Sequence, residues 1–322
     1  MTTMHAVRGH ARGGPEQLRY ETAPRPEPGP GDLLVEVRSA AITPGELDWD
    51  ATWTDALDSG GTPRLPIVPS KEFSGVVAAA GPAGAPDAGA GAPVWSEGDE
   101  VYGLIPFTSD GAAAQYAVVP ADVVAAKPAG LDHDHAAALP LAGLTALQAL
   151  VTHGGLREGQ RVLVHGGAGG VGSLAVQIAA ALGAEVTATA SARDADFVRG
   201  LGATRVLDYV ERPFDEQVAD VDLVLDTVGG DTRTRSWQVL RPGGTLVSVA
   251  EPLPAEGPRF TRGVFFVVVP DRAGLDELSR LVAAGRLDPP IAGTYPLSGV
   301  AAAYAALARP HRRGKVVLHV SP

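Results

Sequence analysis

Gln160-Arg161-Val162-Leu163-Val164-His165-Gly166-Gly167-Ala168-Gly169-Gly170-Val171-Gly172 reads as an apolar strand, a glycine-rich turn and the start of a helix. Gly167, Gly169 and Gly172 satisfy G-x-G-x-x-G, and Val171, Leu174, Ala175, Ile178, Ala179 and Leu182 recur at helical spacing. Glycines at these points let the chain turn sharply, approach a pyrophosphate closely and pack helix against sheet. The unpaired N–H groups of a helix start favour phosphate charge. The glycine pattern alone is weak evidence in a chain with 40 glycines. With a strand before it, a helix after it and more strands at βαβ spacing, it marks a dinucleotide-binding protein.

Working outward, strand-like runs at 162–165, 185–190, 205–208, 223–226 and 245–250, with 265–269 as a sixth, alternate with helical segments, and 136–152 reads as helix. That alternation predicts an α/β fold with a doubly wound parallel sheet. Up to about Lys127 the chain is rich in Pro and Gly, with short strand-like runs such as Leu33-Leu34-Val35-Glu36-Val37 and Gly75-Val76-Val77-Ala78. Turns separate them, which suggests a small β-barrel. The tail regains β character from Gly314. The expected organisation is a barrel domain over 1–127, completed by 296–322, around a nucleotide domain over 128–295. The Gly/Ala/Pro-rich stretch 82–93 reads as a mobile surface loop.

The chain of 322 residues carries a net charge of −11, which argues against nucleic acid or an anionic membrane as partner. It has no cysteine, so disulfides, thiolate nucleophiles and cysteine-containing zinc sites are excluded. No apolar run is long enough to suggest a membrane span. The N-terminus lacks the apolar core of a signal peptide. The expectation is a cytoplasmic enzyme acting on a small molecule.

Several segments carry a family resemblance: Phe73-Ser74-Gly75-Val76-Val77, Gly98-Asp99-Glu100-Val101-Tyr102-Gly103, Ala137-Ala138-Leu139-Pro140-Leu141-Ala142-Gly143-Leu144-Thr145-Ala146, the glycine turn, Asp226-Thr227-Val228-Gly229-Gly230 and Arg313-Gly314-Lys315-Val316-Val317-Leu318. With these the chain resembles the zinc-independent quinone oxidoreductases (zeta-crystallin-like) of the medium-chain dehydrogenase/reductase superfamily. The resemblance implies a GroES-like barrel, a Rossmann domain, a cleft between them and a homodimer formed through the nucleotide domains. Zinc-using members carry Cys and a His-Glu pair at the cleft, where this chain has no Cys and Lys71-Glu72. A protonated lysine is no metal ligand and one carboxylate cannot hold zinc alone, so no metal is expected.

An acid roughly twenty residues beyond the glycines would select NAD, but Ala190-Ser191-Ala192-Arg193 stands there. A hydroxyl and a guanidinium suit a 2′-phosphate, so NADP(H) is the expected cofactor, with Ser191 and Arg193 as contacts. The resemblance adds Tyr209 to that phosphate site. It also sets Thr145 near the nicotinamide or its phosphates and Lys315 near the cofactor. Gly167, Gly169, Gly170, Val171 and Gly172 hold the pyrophosphate in this reading, and Gly229 approaches the nicotinamide side by the carboxyl-end rule. Phe266 joins the cofactor-side candidates, although its run Phe265-Phe266-Val267-Val268-Val269 reads chiefly as an edge strand at a dimer interface.

For chemistry, a developing oxyanion needs a hydroxyl, ammonium, backbone N–H or water nearby. Thr43 (where relatives commonly have Asn), Lys71 and Tyr102 are the candidates, with pairing to Glu72 or another carboxylate as the alternative for Lys71. Trp49, Trp53 and Phe107 form an expected aromatic pocket, with core packing the alternative for the tryptophans. Asp132-His133-Asp134-His135 reads as a capped helix start rather than a metal site, and His165 as a packing residue. The expected activity is NADPH-dependent reduction of a quinone or an α,β-unsaturated carbonyl. The alternatives are a trans-acting enoyl reductase, a non-redox biosynthetic enzyme and an NADP(H)-binding protein without turnover.

Overall fold

The computed structural model describes residues 2–82 and 94–321. The loop expected at 82–93 therefore lies, Pro82 apart, outside the described residues. Seven strands come first: β1 (Thr3–Gly9), β2 (Leu18–Pro24), β3 (Asp32–Ile42), β4 (Glu72–Ala80), β5 (Glu100–Leu104), β6 (Tyr116–Pro120) and β7 (Val124–Ala126), with a short helix α1 (Asp50–Trp53) between β3 and β4. β1 and β2 form an antiparallel pair. Strand β3 is the spine of the larger sheet, pairing with both β4 and β6. Its alternate residues Leu33, Val35 and Val37 enter one core with Phe73, Val77 and Val101, as the two-residue strand period requires.

Helices α2 (His133–Ala137) and α3 (Pro140–Leu147) follow, and then the second sheet begins. It contains β8 (Arg161–Val164), β9 (Glu185–Ala190), β10 (Arg205–Asp208), β11 (Val221–Asp226), β12 (Leu240–Ser248) and β13 (Arg262–Phe265). Between them run α4 (Gly170–Ala181), α5 (Ala195–Gly200) and α6 (Gly230–Val239), with α7 (Arg272–Ala283) after β13. The order β10-β9-β8-β11-β12-β13 is a six-stranded doubly wound sheet, and every pairing in it is parallel. The order reverses beside β8, so the carboxyl end of β8 opens at the switch point where such folds bind ligands.

Two further strands, β14 (Ile291–Pro296) and β15 (Lys315–His319), with α8 (Val300–Leu307) between them, return to the first sheet. Its order is β14-β15-β3-β4-β5-β7. β14 thus hydrogen-bonds within the barrel-side sheet, although the expected boundary at 296 leaves it with the nucleotide domain.

Two elements differ from expectation. The helix expected over 136–152 breaks before Pro140, whose missing N–H suits it to a helix start, not an interior. It ends in a wider π turn over Gln148–His153. The sixth strand ends at Phe265 instead of reaching Val269. There Gln148 replaces the ladder: its Nε2 donates to the Val269 carbonyl over 2.9 Å and its Oε1 accepts from the Val269 N–H over 3.2 Å.

Candidate active site

The glycine turn leaves β8 at the switch point. His165 N–H donates to the Leu225 carbonyl over 2.9 Å, which anchors the turn to β11. A Cβ on Gly172 would lie 2.1 Å from the Gly166 carbonyl oxygen. That contact is with backbone, so α4 starts here only because residue 172 has no side chain. Gly169, in extended backbone, caps α4. Gly170, Val171 and Gly172 form its first turn, whose N–H groups have no partner inside a helix. These four residues face a crevice of about 830 Å³ between the two sheets. The cradle fits a pyrophosphate.

The chain's tail is stitched to this turn. Gly314 N–H donates to the Ala168 carbonyl over 3.0 Å. That contact carries Lys315, at the start of β15, into the crevice wall beside Thr43 at the end of β3. Lys315 Nζ donates to Thr43 Oγ1 over 2.8 Å and stands 2.5 Å from Glu72 Oε1. Glu72 is fully buried, and its Oε2 accepts the Leu141 N–H over 2.8 Å. Burial pushes the Glu72 carboxyl up, against the pull of the Lys315 ammonium. A second buried carboxyl, Glu46, accepts the Tyr304 hydroxyl over 2.5 Å and is pushed up to about 7 by burial.

Aromatic rings also line the crevice. Trp49 meets Phe107 edge to face at 5.4 Å, and both line the crevice. Phe266 also lines it and packs on His153 at 4.2 Å between ring centres. Because β13 ends early, 265–268 turn into the crevice rather than continuing the sheet edge. A mostly apolar cleft with a few converging polar groups suits a small organic molecule beside a cofactor.

Comparison with known proteins agrees with this architecture. Residues 29–129 match the family described as alcohol dehydrogenase GroES-like domain, and 201–318 the one described as zinc-binding dehydrogenase. The human mitochondrial NAD(P)H oxidoreductase RTN4IP1 is 31% identical over 333 residues, covering 90% of this chain and 82% of its own. The chloroplastic NADPH-dependent alkenal/one oxidoreductase of Arabidopsis thaliana is 32% identical over 321 residues, covering 96% and 78%. The quinone oxidoreductase structure from Coxiella burnetii superposes with a TM-score of 0.87 at 31% identity, covering 99% of this chain and 100% of that one. The chain belongs to the medium-chain dehydrogenase/reductase superfamily, in its quinone oxidoreductase-like group. The two sheets are therefore a GroES-like domain and a Rossmann domain, in an oxidoreductase family that uses a nicotinamide cofactor.

Within this family fold, several expected site residues lie elsewhere. Lys71 is outside the crevice: it is buried, and its ammonium donates to the Ser109 carbonyl. Neighbouring residues along extended chain point to opposite sides, so Lys71 turns from the cleft that Glu72 borders. Burial pulls the Lys71 ammonium down to about 8. Tyr102 is also buried, its hydroxyl donating to the Leu275 carbonyl over 2.6 Å beside Ser279 Oγ at 2.9 Å. It ties β5 to α7. Trp53 packs in the core under β1 and donates from Nε1 to the Leu47 carbonyl over 2.7 Å. None of the three lines the crevice.

Thr145 does line it, but its hydroxyl donates to the Leu141 carbonyl over 2.6 Å within α3. Gly167 sits behind the turn, where a Cβ would lie 2.9 Å from Ala188 Cβ. Gly229, at φ +81, donates its N–H to Asp226 Oδ1 over 2.9 Å beyond the crevice wall. Ser191, Arg193 and Tyr209 gather at the carboxyl ends of β9 and β10, since Ala190 registers with Asp208. His165 is buried between Thr189 Oγ1 at 3.2 Å and Ser236 Oγ at 3.0 Å, and burial pulls it down to about 4. Asp132 caps α2 by accepting the His135 N–H over 2.8 Å. Among the described residues no group of three or more His, Cys, Asp or Glu side chains forms a metal-ligating cluster, and no helix is long and apolar enough to cross a membrane.

Arg313 and Thr227 were not among the expected site residues. Arg313 Nε donates to Asp194 Oδ1 over 2.8 Å beside Ser191. Thr227 lines the crevice, its hydroxyl donating to the His165 carbonyl over 2.8 Å. The Arg-Gly-Lys run carried a signal for Arg313.

Proposed function

We propose that the protein reduces a quinone or an α,β-unsaturated carbonyl with NADPH and without a metal ion. The observation that carries this reading is the single crevice wall joining the Gly169–Gly172 cradle to Thr43, Lys315 and the Trp49–Phe107 pair. Gly169, Gly170, Val171 and Gly172 would hold the pyrophosphate, with Thr145 and Phe266 toward the nicotinamide. Reduced nicotinamide bound there supplies a hydride. The apolar rings exclude water and present a flat face to a planar acceptor. Thr43 and Lys315 supply the polar end that a carbonyl oxygen needs as it gains charge.

The preference for the 2′-phosphorylated cofactor rests on the groups at the ends of β9 and β10. Ser191 and Arg193 follow β9 and Tyr209 follows β10, and Asp194, an acid that would otherwise repel a phosphate, is held by Arg313 and Ser191. The metal-free reading rests on the donor set. The chain has no cysteine, Lys71 turns away, and Glu72 is committed to Lys315 and Leu141. These residues do not fit a catalytic zinc.

We further propose a homodimer joined along β13, the edge strand of its sheet, beyond which Val269 is exposed. The cytoplasmic placement belongs to the same reading; two of the relatives above bear mitochondrial and chloroplastic names. Loss of NADPH absorbance against a panel of quinones, enones and enoyl thioesters tests the activity. Turnover with quinones or enones supports it; turnover with enoyl thioesters alone reassigns the substrate, and binding without turnover removes the reductase reading.

A further inference from the structure

Three hydroxyls line the crevice among the described residues: Thr43, Thr145 and Thr227. Thr145 and Thr227 give their protons to backbone carbonyls of Leu141 and His165. A hydroxyl so committed can accept a hydrogen bond from a ligand but cannot donate one. Thr43 is different. Among the described residues its partner is the Lys315 ammonium, a donor, at 2.8 Å. Thr43 Oγ1 therefore uses a lone pair, and its proton is left to face the crevice.

The ammonium behind it is fixed. Lys315 is 5% exposed in its side chain and stands 2.5 Å from Glu72 Oε1, while Glu72 Oε2 is held by the Leu141 N–H. The contact with Glu72 holds Lys315 in place, and the Glu46–Tyr304 pair and Lys71 are the other titratable groups around this pocket floor. Hydrogen bonds in a chain polarise one another, so an ammonium donating to Oγ1 strengthens the hydrogen bond which that hydroxyl gives. Thr43 shares the crevice with the Trp49–Phe107 rings, the surface that suits a planar acceptor.

We propose that Thr43 and Lys315 form an oxyanion site: Thr43 is the catalytic donor to an enolate or phenolate oxygen, and Lys315, seated on Glu72, is the positioning residue that polarises it. The ligand class is a planar oxyanion, with the Thr43 proton at its oxygen. This assignment rests on the reductase reading for its part in turnover, but the oxyanion site itself is tested without turnover.

The test uses 4-nitrophenol as probe, with the full chain saturated with NADP⁺, following the phenolate band as pH is varied. The unsubstituted protein binds phenolate at least about tenfold more tightly than phenol. T43V loses that preference and T43S keeps it. K315M leaves Glu72 without its counter-ion, so K315M/E72Q is measured beside it, and both lose the preference while NADP⁺ affinity by calorimetry stays within about threefold. In turnover, T43V lowers kcat about a hundredfold with KM for NADPH unchanged.

Equal binding of phenol and phenolate, or no binding of either, overturns the proposal, as does a preference that survives in T43V. Loss of NADP⁺ affinity in K315M/E72Q with the phenolate preference intact also overturns it, by making Lys315 a cofactor contact. A protein that prefers phenolate through Thr43 yet fails to oxidise NADPH with every acceptor tried keeps the oxyanion site and loses the reductase reading.

Discussion

Arg313 and Asp194 join the two halves of the molecule at the edge of the proposed cofactor site. Arg313, two residues before β15, donates from Nε to Asp194 Oδ1 over 2.8 Å, and Ser191 donates to the other carboxylate oxygen over 2.8 Å. Burial pushes the Asp194 carboxyl up, but the Arg313 and Ser191 hydrogen bonds outweigh it and hold the group below the usual range. The Arg313 side chain is 48% exposed, so the ion pair is screened and worth little stability by itself. Its consequence is for the cofactor. With Asp194 occupied, Arg193 and Arg313 set the local charge. R313A and R193A should each raise KM for NADPH about tenfold and change NADH use by less than about threefold. Steady-state kinetics with both cofactors checks this; equal effects on the two count against a 2′-phosphate site.

The glycine turn makes a sharper claim. G172A sets a methyl group 2.1 Å from the Gly166 carbonyl oxygen, a clash that only backbone movement relieves. The expected result is a destabilisation of about 2–4 kcal/mol with loss of NADPH binding. G200A is the control, because nothing lies within 4 Å of a Cβ there. Thermal unfolding and calorimetry on the two variants separate local strain from a general intolerance of side chains.

Glu46 gives the protein a pH dependence with a definite sign. Its folded-state value, about 7, lies above the ordinary carboxyl value of 4.5. The folded state therefore holds the proton more tightly, and stability is full below 4.5 and declines as pH rises through 7. The fall reaches about 3 kcal/mol, because each pH unit between the two values is worth about 1.36 kcal/mol. E46Q keeps a neutral hydrogen-bonding group at Tyr304 and should flatten that decline. Denaturant unfolding at pH 5 and pH 8 measures it.

Lys71 and Tyr102 are expected to matter for stability and not for turnover. Burial holds Lys71 at about 8, below its ordinary 10.5, so its charge costs stability below pH 8 and progressively less as pH rises toward 10.5. K71M should gain about 1–2 kcal/mol at pH 7, an advantage that shrinks above pH 8. Y102F leaves the Leu275 carbonyl and Ser279 without their partner and should cost about 1–2 kcal/mol. In both variants kcat/KM stays within about twofold of the parent. A large loss in either would return that residue to the catalytic group.

The exposed apolar edge beyond β13 predicts an association that charge would break. Val269 is 59% exposed. V269K should convert a dimer to a monomer in light scattering, because the ammonium groups of the two copies cannot be buried unpaired across an interface. A parent already monomeric at micromolar concentration removes the dimer proposal.

Much of the nucleotide domain was legible along the chain. Strands β9 and β10 occupy 185–190 and 205–208 as expected, and the G-x-G-x-x-G turn sits between β8 and α4. These features follow from local periods and from the backbone freedom of glycine, both of which are written residue by residue. The helix over 136–152 was less legible, because Pro140 and the π turn set breaks that apolar periodicity does not show. The end of β13 was hidden altogether. Val269 pairs instead with Gln148, 121 residues away in the sequence.

What the sequence by itself determined is the doubly wound sheet, the phosphate-binding turn and the lack of any cysteine ligand. What only the tertiary structure decided is which polar side chains share the crevice. Lys71 and Glu72 are neighbours in the chain and part company in space, while Lys315 and Thr43 meet across 272 positions. The reason is physical: local pattern fixes the direction of a side chain relative to its own strand, but the groups it meets are fixed by how β3, β4 and β15 pair and by the hydrogen bond that ties Gly314 to the glycine turn.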